Sequence, residues 1–302
     1  MAASSEPEQP SASLPPAPTI GWIGLGEMGL PMAANLAAAG HRVVGLDRDP
    51  SRVEAASRAG VEVADSLPAL LAADPAVLVT MLRTGAQTAE LLTGPEGVAA
   101  TANRPLDVVM MSTMDPPSVE RLAGECAGHD LTLLDVPVSG GVRGAEAGTL
   151  SIMASGDPAA LDRVRPLLEP LGARVHELGA RPGASQAAKL ANQVMMATAI
   201  AGTYEALALA GDYGLEPEPV IGAVLDGTGA SWPLAHWDWM RSLWEEYEPE
   251  SALDILDKDL KAVIAAVRER GADLPVTEAT FARLTELWDE ARAAATARRA
   301  AG

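Results

Sequence analysis

The tightest constraint on this chain lies between residues 19 and 47. Thr19–Ile23 is a short apolar run that reads as a buried strand, and Met28–Ala39 is a helical stretch with Pro31 near its start and Gly40 at its end. Gly24-x-Gly26-x-x-Gly29 joins the two, and Asp47 closes a second strand-like run, Arg42–Leu46. In such a loop the first glycine permits the tight turn, the second lets backbone approach a pyrophosphate, and the third lets helix and strand pack closely. The helix N-terminus adds partial positive charge for the phosphates. Glycines in an ordinary strand-to-helix turn are the plain alternative. The strand before, the helix after and an acidic residue about 20 positions on favour a dinucleotide site.

Beyond this unit the alternation continues. Strand-like runs recur at Ala76–Leu82, Val108–Ser112, Leu131–Val136 and Ser151–Ala154, with helix-compatible stretches such as Arg52–Arg58, Ala86–Leu92 and Ser118–Ala127 between them. Strands alternating with helices predict a mainly parallel sheet covered on both faces. After Gly183 the pattern changes. Ala184–Ala210 is alanine-rich and free of proline, predicting one helix of about 40 Å at 1.5 Å per residue. Pro217–Leu225, Leu234–Tyr247, Ala252–Arg270 and Val276–Ala297 are helical in turn. The expected organisation is α/β: a flexible tail over 1–17, a dinucleotide-binding Rossmann-type parallel-sheet domain over 18–182, and an all-α domain over 183–302 for substrate binding and oligomerisation.

Composition narrows the partners. The 41 acidic against 22 basic residues give a net charge of −19, which repels phosphate backbones, so no nucleic-acid partner is expected. The same field opposes an anionic substrate unless local cations reverse it, and Lys189, Lys258 and Arg143 are the candidates. A single cysteine, Cys126, cannot form an intramolecular disulfide and reads as a small buried hydrophobe in a reducing cytoplasm. No stretch approaches the run of about 20 apolar residues that a membrane span needs, so no membrane partner is expected. The scattered His41, His129, His176 and His236 lack metal-ligand spacing, and no metal is expected.

Two further blocks carry candidate chemistry. Asp135-Val-Pro-Val-Ser139-Gly140-Gly141 places a hydroxyl and unhindered backbone amides just after a strand. Such a turn can bind a small carboxylate, or it can be purely structural. Gly183-Ala-Ser185-Gln-Ala-Ala-Lys189-Leu-Ala-Asn192-Gln193 opens the long helix, and its spacing puts Lys189, Asn192 and Gln193 on one helix face. A lysine on so alanine-rich a segment is oddly placed for a surface charge. Burial disfavours an ammonium, which suits a proton-transfer group near neutral pH.

Taken together, these blocks resemble the β-hydroxyacid dehydrogenase family, whose members include 3-hydroxyisobutyrate dehydrogenase and tartronate semialdehyde reductase. The matching residues are Gly21–Asn35, Asp135–Gly148, Gly183–Gln193 and Lys258-Asp259-Leu260, in the family's order over nearly the whole chain past the tail. The resemblance implies an oxidoreductase that moves a hydride between NAD, with NADP as an alternative, and a small carboxylate-bearing hydroxy acid or semialdehyde. It implies that Gly24, Gly26, Met28 and Gly29 hold the pyrophosphate and that Asp47, followed by Arg48, faces the adenosine ribose. Met81, Leu82 and Thr113 occupy further cofactor-contacting loops. Ser139, Gly140 and Gly141 bind the substrate carboxylate. Lys189 is the general acid/base, Asn192 or Gln193 helps to position substrate, and Lys258 binds cofactor or substrate. It also implies a homodimer or homotetramer.

Three residues depart from the family pattern. Ser185 replaces a glycine before the lysine, Arg83 replaces a proline after Met81-Leu82, and Ser251 replaces a phenylalanine before the Lys-Asp pair. All three bear on the shape of the pocket. Trp237, Met240 and Trp244 share a helix face and read as core or interface, whereas Trp232 and Trp239 are candidates to line a pocket. Imine reduction and a non-catalytic interaction module are rival functions on this scaffold; Lys189 argues against both, since such relatives carry another residue there.

Overall fold

The computed structural model describes residues 18–247, 252–269, 271 and 273–301. The expected tail and Ser251 fall outside the described residues. The chain divides into two compact units after Lys189.

The first unit begins with β1 (Thr19–Ile23), α1 (Gly29–Ala38), β2 (Arg42–Leu46), α2 (Pro50–Arg58), β3 (Glu62–Val63), α3 (Leu67–Ala72) and β4 (Val77–Thr80). It continues through α4 (Gly85–Thr93), α5 (Val98–Thr101), β5 (Leu106–Met110), α6 (Pro116–Ala127) and β6 (Leu131–Asp135). Its strands form a six-stranded sheet in the order β3-β2-β1-β4-β5-β6, with every neighbouring pair parallel. The order reverses between β1 and β4, the switch point at which open α/β sheets bind ligands beyond the strands' carboxyl ends. Alternate residues serve the two faces. Ile20, Trp22, Val77, Val79 and Val109 enter one core, while Ile23, Leu78, Val108 and Met110 enter another. A period of two with both faces apolar explains why these strands read as near-continuous hydrophobic runs.

A second, three-stranded sheet follows, which the sequence pattern disclosed only in part. It contains β7 (Val138–Ser139), β8 (Leu150–Ala154) and β9 (Gly172–Glu177), with α7 (Gly141–Ala147) and α8 (Pro158–Leu168) between them. β7 spans two residues and β9 is largely exposed, so neither shows a strong alternation. The Ser139-Gly140-Gly141 turn leads directly into α7, with φ of 136° at Gly140 and 62° at Gly141, values that only glycine adopts at little cost.

The second unit is helical throughout its described residues: the remainder of α9 (Ala184–Asp212), then α10 (Pro217–Leu225), α11 (Trp232–Ala235), α12 (Trp237–Glu245), α13 (Ala252–Glu269) and α14 (Pro275–Ala301). The single helix expected over Leu234–Tyr247 is two, because Ser231 caps α11 early and His236 leaves helical geometry at φ −120°, ψ 32°. Trp237, Met240 and Trp244 are buried with Leu260, Leu284 and Trp288 in this unit's core, and Tyr204 meets Trp237 edge-on at 4.7 Å.

α9 corrects one expectation. An 18-residue window of it reaches a mean hydropathy of 1.3 and is 22% buried, so by length and composition alone it is apolar enough to cross a membrane. The apolar residues are interspersed with Thr, Gly and Gln, so no unbroken run reveals this in the sequence.

Candidate functional site

The glycine loop is held from beneath and from the side. The Gly24 amide donates to the Leu46 carbonyl at 3.0 Å, and the Leu25 amide donates to Asp47 Oδ2 at 2.6 Å. Gly24 has a φ of +98°, and a Cβ on Gly29 would run into the Gly24 carbonyl, so close helix–strand approach requires the glycine. A Cβ on Gly26 would meet nothing within 4 Å; that side of the loop faces open space. α2, α3, α4, α6 and α8 each begin with an Asp, Ser or Thr whose side chain accepts from the first turn. α1 begins at Met28, whose side chain cannot do so. Its first turn needs little such help: the Leu30 amide donates to the Gly26 carbonyl at 3.0 Å, and Pro31 has no N–H.

Asp47 is not simply turned toward a ligand. Its two carboxylate oxygens accept the amides of Leu25 and Asp49, at 2.6 and 2.9 Å. A carboxylate offers about four acceptor positions, so it retains capacity for ribose hydroxyls while bracing the loop. Arg48 beside it is exposed.

The loops after β4 and β5 are joined to each other and to the start of α9. The Met81 amide donates to Ile23 O at 2.9 Å and the Leu82 amide to Ser112 Oγ at 2.8 Å. Thr113 is partly exposed between the buried Ser112 and Met114. Arg83 is exposed just beyond Leu82, and the next residue, Thr84, opens α4 with a reciprocal capping box. That cap gives the loop the definite turn a proline commonly supplies.

Two residues that sequence reasoning passed over form the centre of this region. Asp135, fully buried, accepts Gln186 Nε2 at 2.7 Å on Oδ1. On Oδ2 it accepts the Gly183 and Gln186 amides and the Ser155 hydroxyl, at 3.1, 3.2 and 3.2 Å. Asp135 thus caps α9 from a neighbouring strand. Burial pushes its carboxyl up to about 6, against the pull of those four donors. The signal available in the sequence was a carboxylate inside an apolar strand run, since a buried charge demands partners.

Lys189 is 7% exposed and Ser185 is fully buried. The Ser185 amide donates to Ser155 Oγ at 3.1 Å, while its own hydroxyl has no hydrogen-bond partner among the described residues. In the second unit, Asn192 Nδ2 donates to Gln193 Oε1 at 3.2 Å, Gln193 Nε2 to Asp259 Oδ2 at 2.7 Å, and Lys258 Nζ lies 3.1 Å from Asp259 Oδ1. Asn192, Gln193 and Lys258 are therefore one connected set. Asp259, absent from the sequence-derived candidates, is its hub. Trp232 is half exposed and stacks on His236 at 4.2 Å, with Trp239 edge-on to it at 5.9 Å. Cys126 is buried with its thiol pushed up to about 12 by desolvation, which fits a structural residue. Among the described residues no group of three or more His, Cys, Asp or Glu is arranged to hold a metal ion.

Residues 19–179 match the NAD binding domain of 6-phosphogluconate dehydrogenase. Residues 183–300 match the family described as NAD-binding of NADP-dependent 3-hydroxyisobutyrate dehydrogenase. The chain belongs to the β-hydroxyacid dehydrogenase family. A 3-hydroxyisobutyrate dehydrogenase of Pseudomonas aeruginosa is 41% identical over 71% of this chain and 72% of that protein. The 2-hydroxy-3-oxopropionate reductase of Escherichia coli is 34% identical over 85% of this chain and 87% of its own. The solved structure of Mycobacterium tuberculosis 3-hydroxyisobutyrate dehydrogenase with L-serine superimposes with a TM-score of 0.78 at 32% identity, covering 91% of this chain and 95% of that one. The enzyme is an NAD(P)-dependent oxidoreductase with a Rossmann-type α/β domain followed by a helical region.

Proposed function

We propose that this β-hydroxyacid dehydrogenase interconverts a small β-hydroxy acid and its semialdehyde, with Lys189 as general acid/base and NAD(H) as the preferred cofactor. The observation that carries the reading is the burial of Lys189 directly after the helix turn that Asp135 caps. A lysine is seldom so enclosed without a partner or a task. In this reading the 18–182 segment is the cofactor domain and 183–302 the substrate and oligomerisation domain.

The cofactor assignment is supported by the open side of Gly26 and the switch point beside it. Gly24, Gly26, Met28 and Gly29 would hold the pyrophosphate, Asp47 with Arg48 the ribose, and Met81, Leu82 and Thr113 the nicotinamide side. When bound, the nicotinamide supplies or accepts the hydride. Lys189 gives a proton to the carbonyl oxygen in reduction and takes the hydroxyl proton in oxidation. Ser139, Gly140 and Gly141 fix the substrate carboxylate through hydroxyl and backbone amides, and Asn192, Gln193 and Lys258 keep the positioning and binding roles the family resemblance gives them. A preference for NAD(H) follows from Asp47, whose charge opposes a 2′-phosphate.

The same reading includes a homodimer or homotetramer in the cytoplasm. It is supported by the exposed Met195 and Leu209 on α9, Tyr213 just after it and Val276 on α14, large apolar side chains that a second copy would cover. The deciding experiment is an NADH and NADPH oxidation screen against methylmalonate, tartronate and succinate semialdehydes, simple ketones and imines. Turnover of a semialdehyde acid supports the reading. Turnover of imines alone, or none with any carbonyl despite cofactor binding, would replace it with imine reduction or a non-catalytic role.

A further inference from the structure

We propose that Gln186 is a positioning residue whose side-chain amide locks the cofactor loop carrying Thr113 to the helix turn carrying Lys189. The inference rests on the reading of Lys189 as the proton-transfer group and extends it to a residue that touches neither substrate nor cofactor.

Gln186 is fully buried and nearly saturated with bonds. Its Oε1 accepts the Met114 amide at 3.0 Å, and its Nε2 donates to the Ser112 carbonyl at 3.0 Å and to Asp135 Oδ1 at 2.7 Å. Ser112 and Met114 are the two neighbours of Thr113, so a single planar amide grips the backbone on both sides of that residue. The amide has only one workable orientation. Flipped, it would set its carbonyl against the Asp135 carboxylate and its NH2 against the Met114 N–H.

The grip extends in both directions within the first unit. Ser112 Oγ accepts the Leu82 amide at 2.8 Å, bringing in the loop after β4. Asp135 accepts the Gly183 and Gln186 amides, fixing the first turn of α9, and Lys189 follows Gln186 by three positions on the same helix. The relay Leu82–Ser112–Gln186–Asp135 therefore crosses the carboxyl ends of β4, β5 and β6, where ligands of such sheets bind. Hydride and proton must meet at adjacent atoms of one substrate, and a misplacement of about 1 Å costs on the order of 10²-fold in rate. A glutamate at this position would face Asp135 with a second carboxylate, and an apolar residue would strand the Met114 amide and the Ser112 carbonyl.

The test is Gln186→Met, similar in length and suited to burial, with NADH affinity read by quenching of tryptophan fluorescence. Turnover is read at saturating NADH with the best carbonyl substrate from the screen. The expected result is NADH binding weakened about tenfold and kcat lowered about 10–100-fold. A purely structural glutamine would lower the melting temperature and leave both unchanged, and that result overturns the inference. Lys189→Met run in parallel separates the two claims. If Lys189→Met keeps its turnover, the Lys189 reading fails, while weakened NADH binding in Gln186→Met would still support the grip on the cofactor loop. Should Gln186→Met not fold, Ser112→Ala breaks the relay one bond further out. It is expected to weaken NADH binding about threefold to fivefold, and wild-type affinity there overturns the proposal.

Discussion

The indole N–H of Trp22 donates to the carbonyl of Gly24 at 3.0 Å, with Trp22 fully buried under the loop that it braces. The first glycine of the fingerprint is thus held by a side chain two residues before it. Trp22→Phe removes the donor and leaves a buried carbonyl without it. Chemical denaturation should show a loss of about 1–2 kcal/mol, accompanied by weaker NADH binding. Unchanged stability and affinity would mean that the loop holds its shape without the indole.

Lys189→Met keeps an unbranched side chain but removes the titrating group. Turnover should fall by about 10²–10⁴, with NADH affinity little changed because the glycine loop and Asp47 lie elsewhere in the first unit. The pH profile of kcat/KM should lose one limb. Near-normal turnover in a folded variant would assign the proton to another group.

Asp47 has two tasks, and substitutions separate them. Asp47→Ala should narrow the NADH over NADPH preference, by removing charge, and weaken both cofactors, by releasing the Leu25 amide. Asp47→Asn retains an acceptor for that amide, so it should narrow the preference with a smaller general loss. Comparison of kcat/KM for the two cofactors is the measurement, and a wild-type preference for NADPH would overturn the assignment.

Asp135 gives stability an unusual slope with pH. Its carboxyl titrates near 6 in the fold against an ordinary value of 3.8, so the folded chain binds the proton more tightly than the unfolded one. The contribution of this group is full below about pH 4 and is lost as pH rises through 6, by up to about 3 kcal/mol. Asp135→Asn lacks the titration. The stability of the native enzyme relative to this variant should therefore fall between pH 4 and 6 in denaturation curves; a flat difference would contradict the shift.

Assembly through α9 predicts that Met195→Glu and Leu209→Glu shift the mass in solution toward that of one chain. Light scattering at micromolar concentration is the check. A wild-type protein already at about 31 kDa would remove the proposal.

The glycine loop and its flanking strand and helix were legible because their constraints are local: a turn, a close approach and a period that switches from two to 3.6. The long helix was legible from its alanine content. Gln186 and Asp135 were not, because their partners lie far along the chain, 72 and 74 residues from Gln186 in the case of Met114 and Ser112. A glutamine between Ser185 and Ala187 carries no mark of which carbonyl it will meet. Asp259 was hidden in the same way, its role visible only once Gln193 and Lys258 are seen on either side of it. The break at His236 was missed because the apolar period of Trp237, Met240 and Trp244 runs on across it.

Gly26 sets a limit on how far this enzyme can be improved as a free-standing fold. An alanine there would meet nothing within 4 Å, and by restricting the unfolded chain such a replacement typically contributes about 0.4–1 kcal/mol. The same methyl would stand where an incoming pyrophosphate must approach the backbone. The apo protein is kept somewhat less stable than its sequence could make it, and the space that a side chain could fill is left to the ligand. Thermostabilising selection carried out without cofactor would therefore drift toward enzymes that fold better and bind worse.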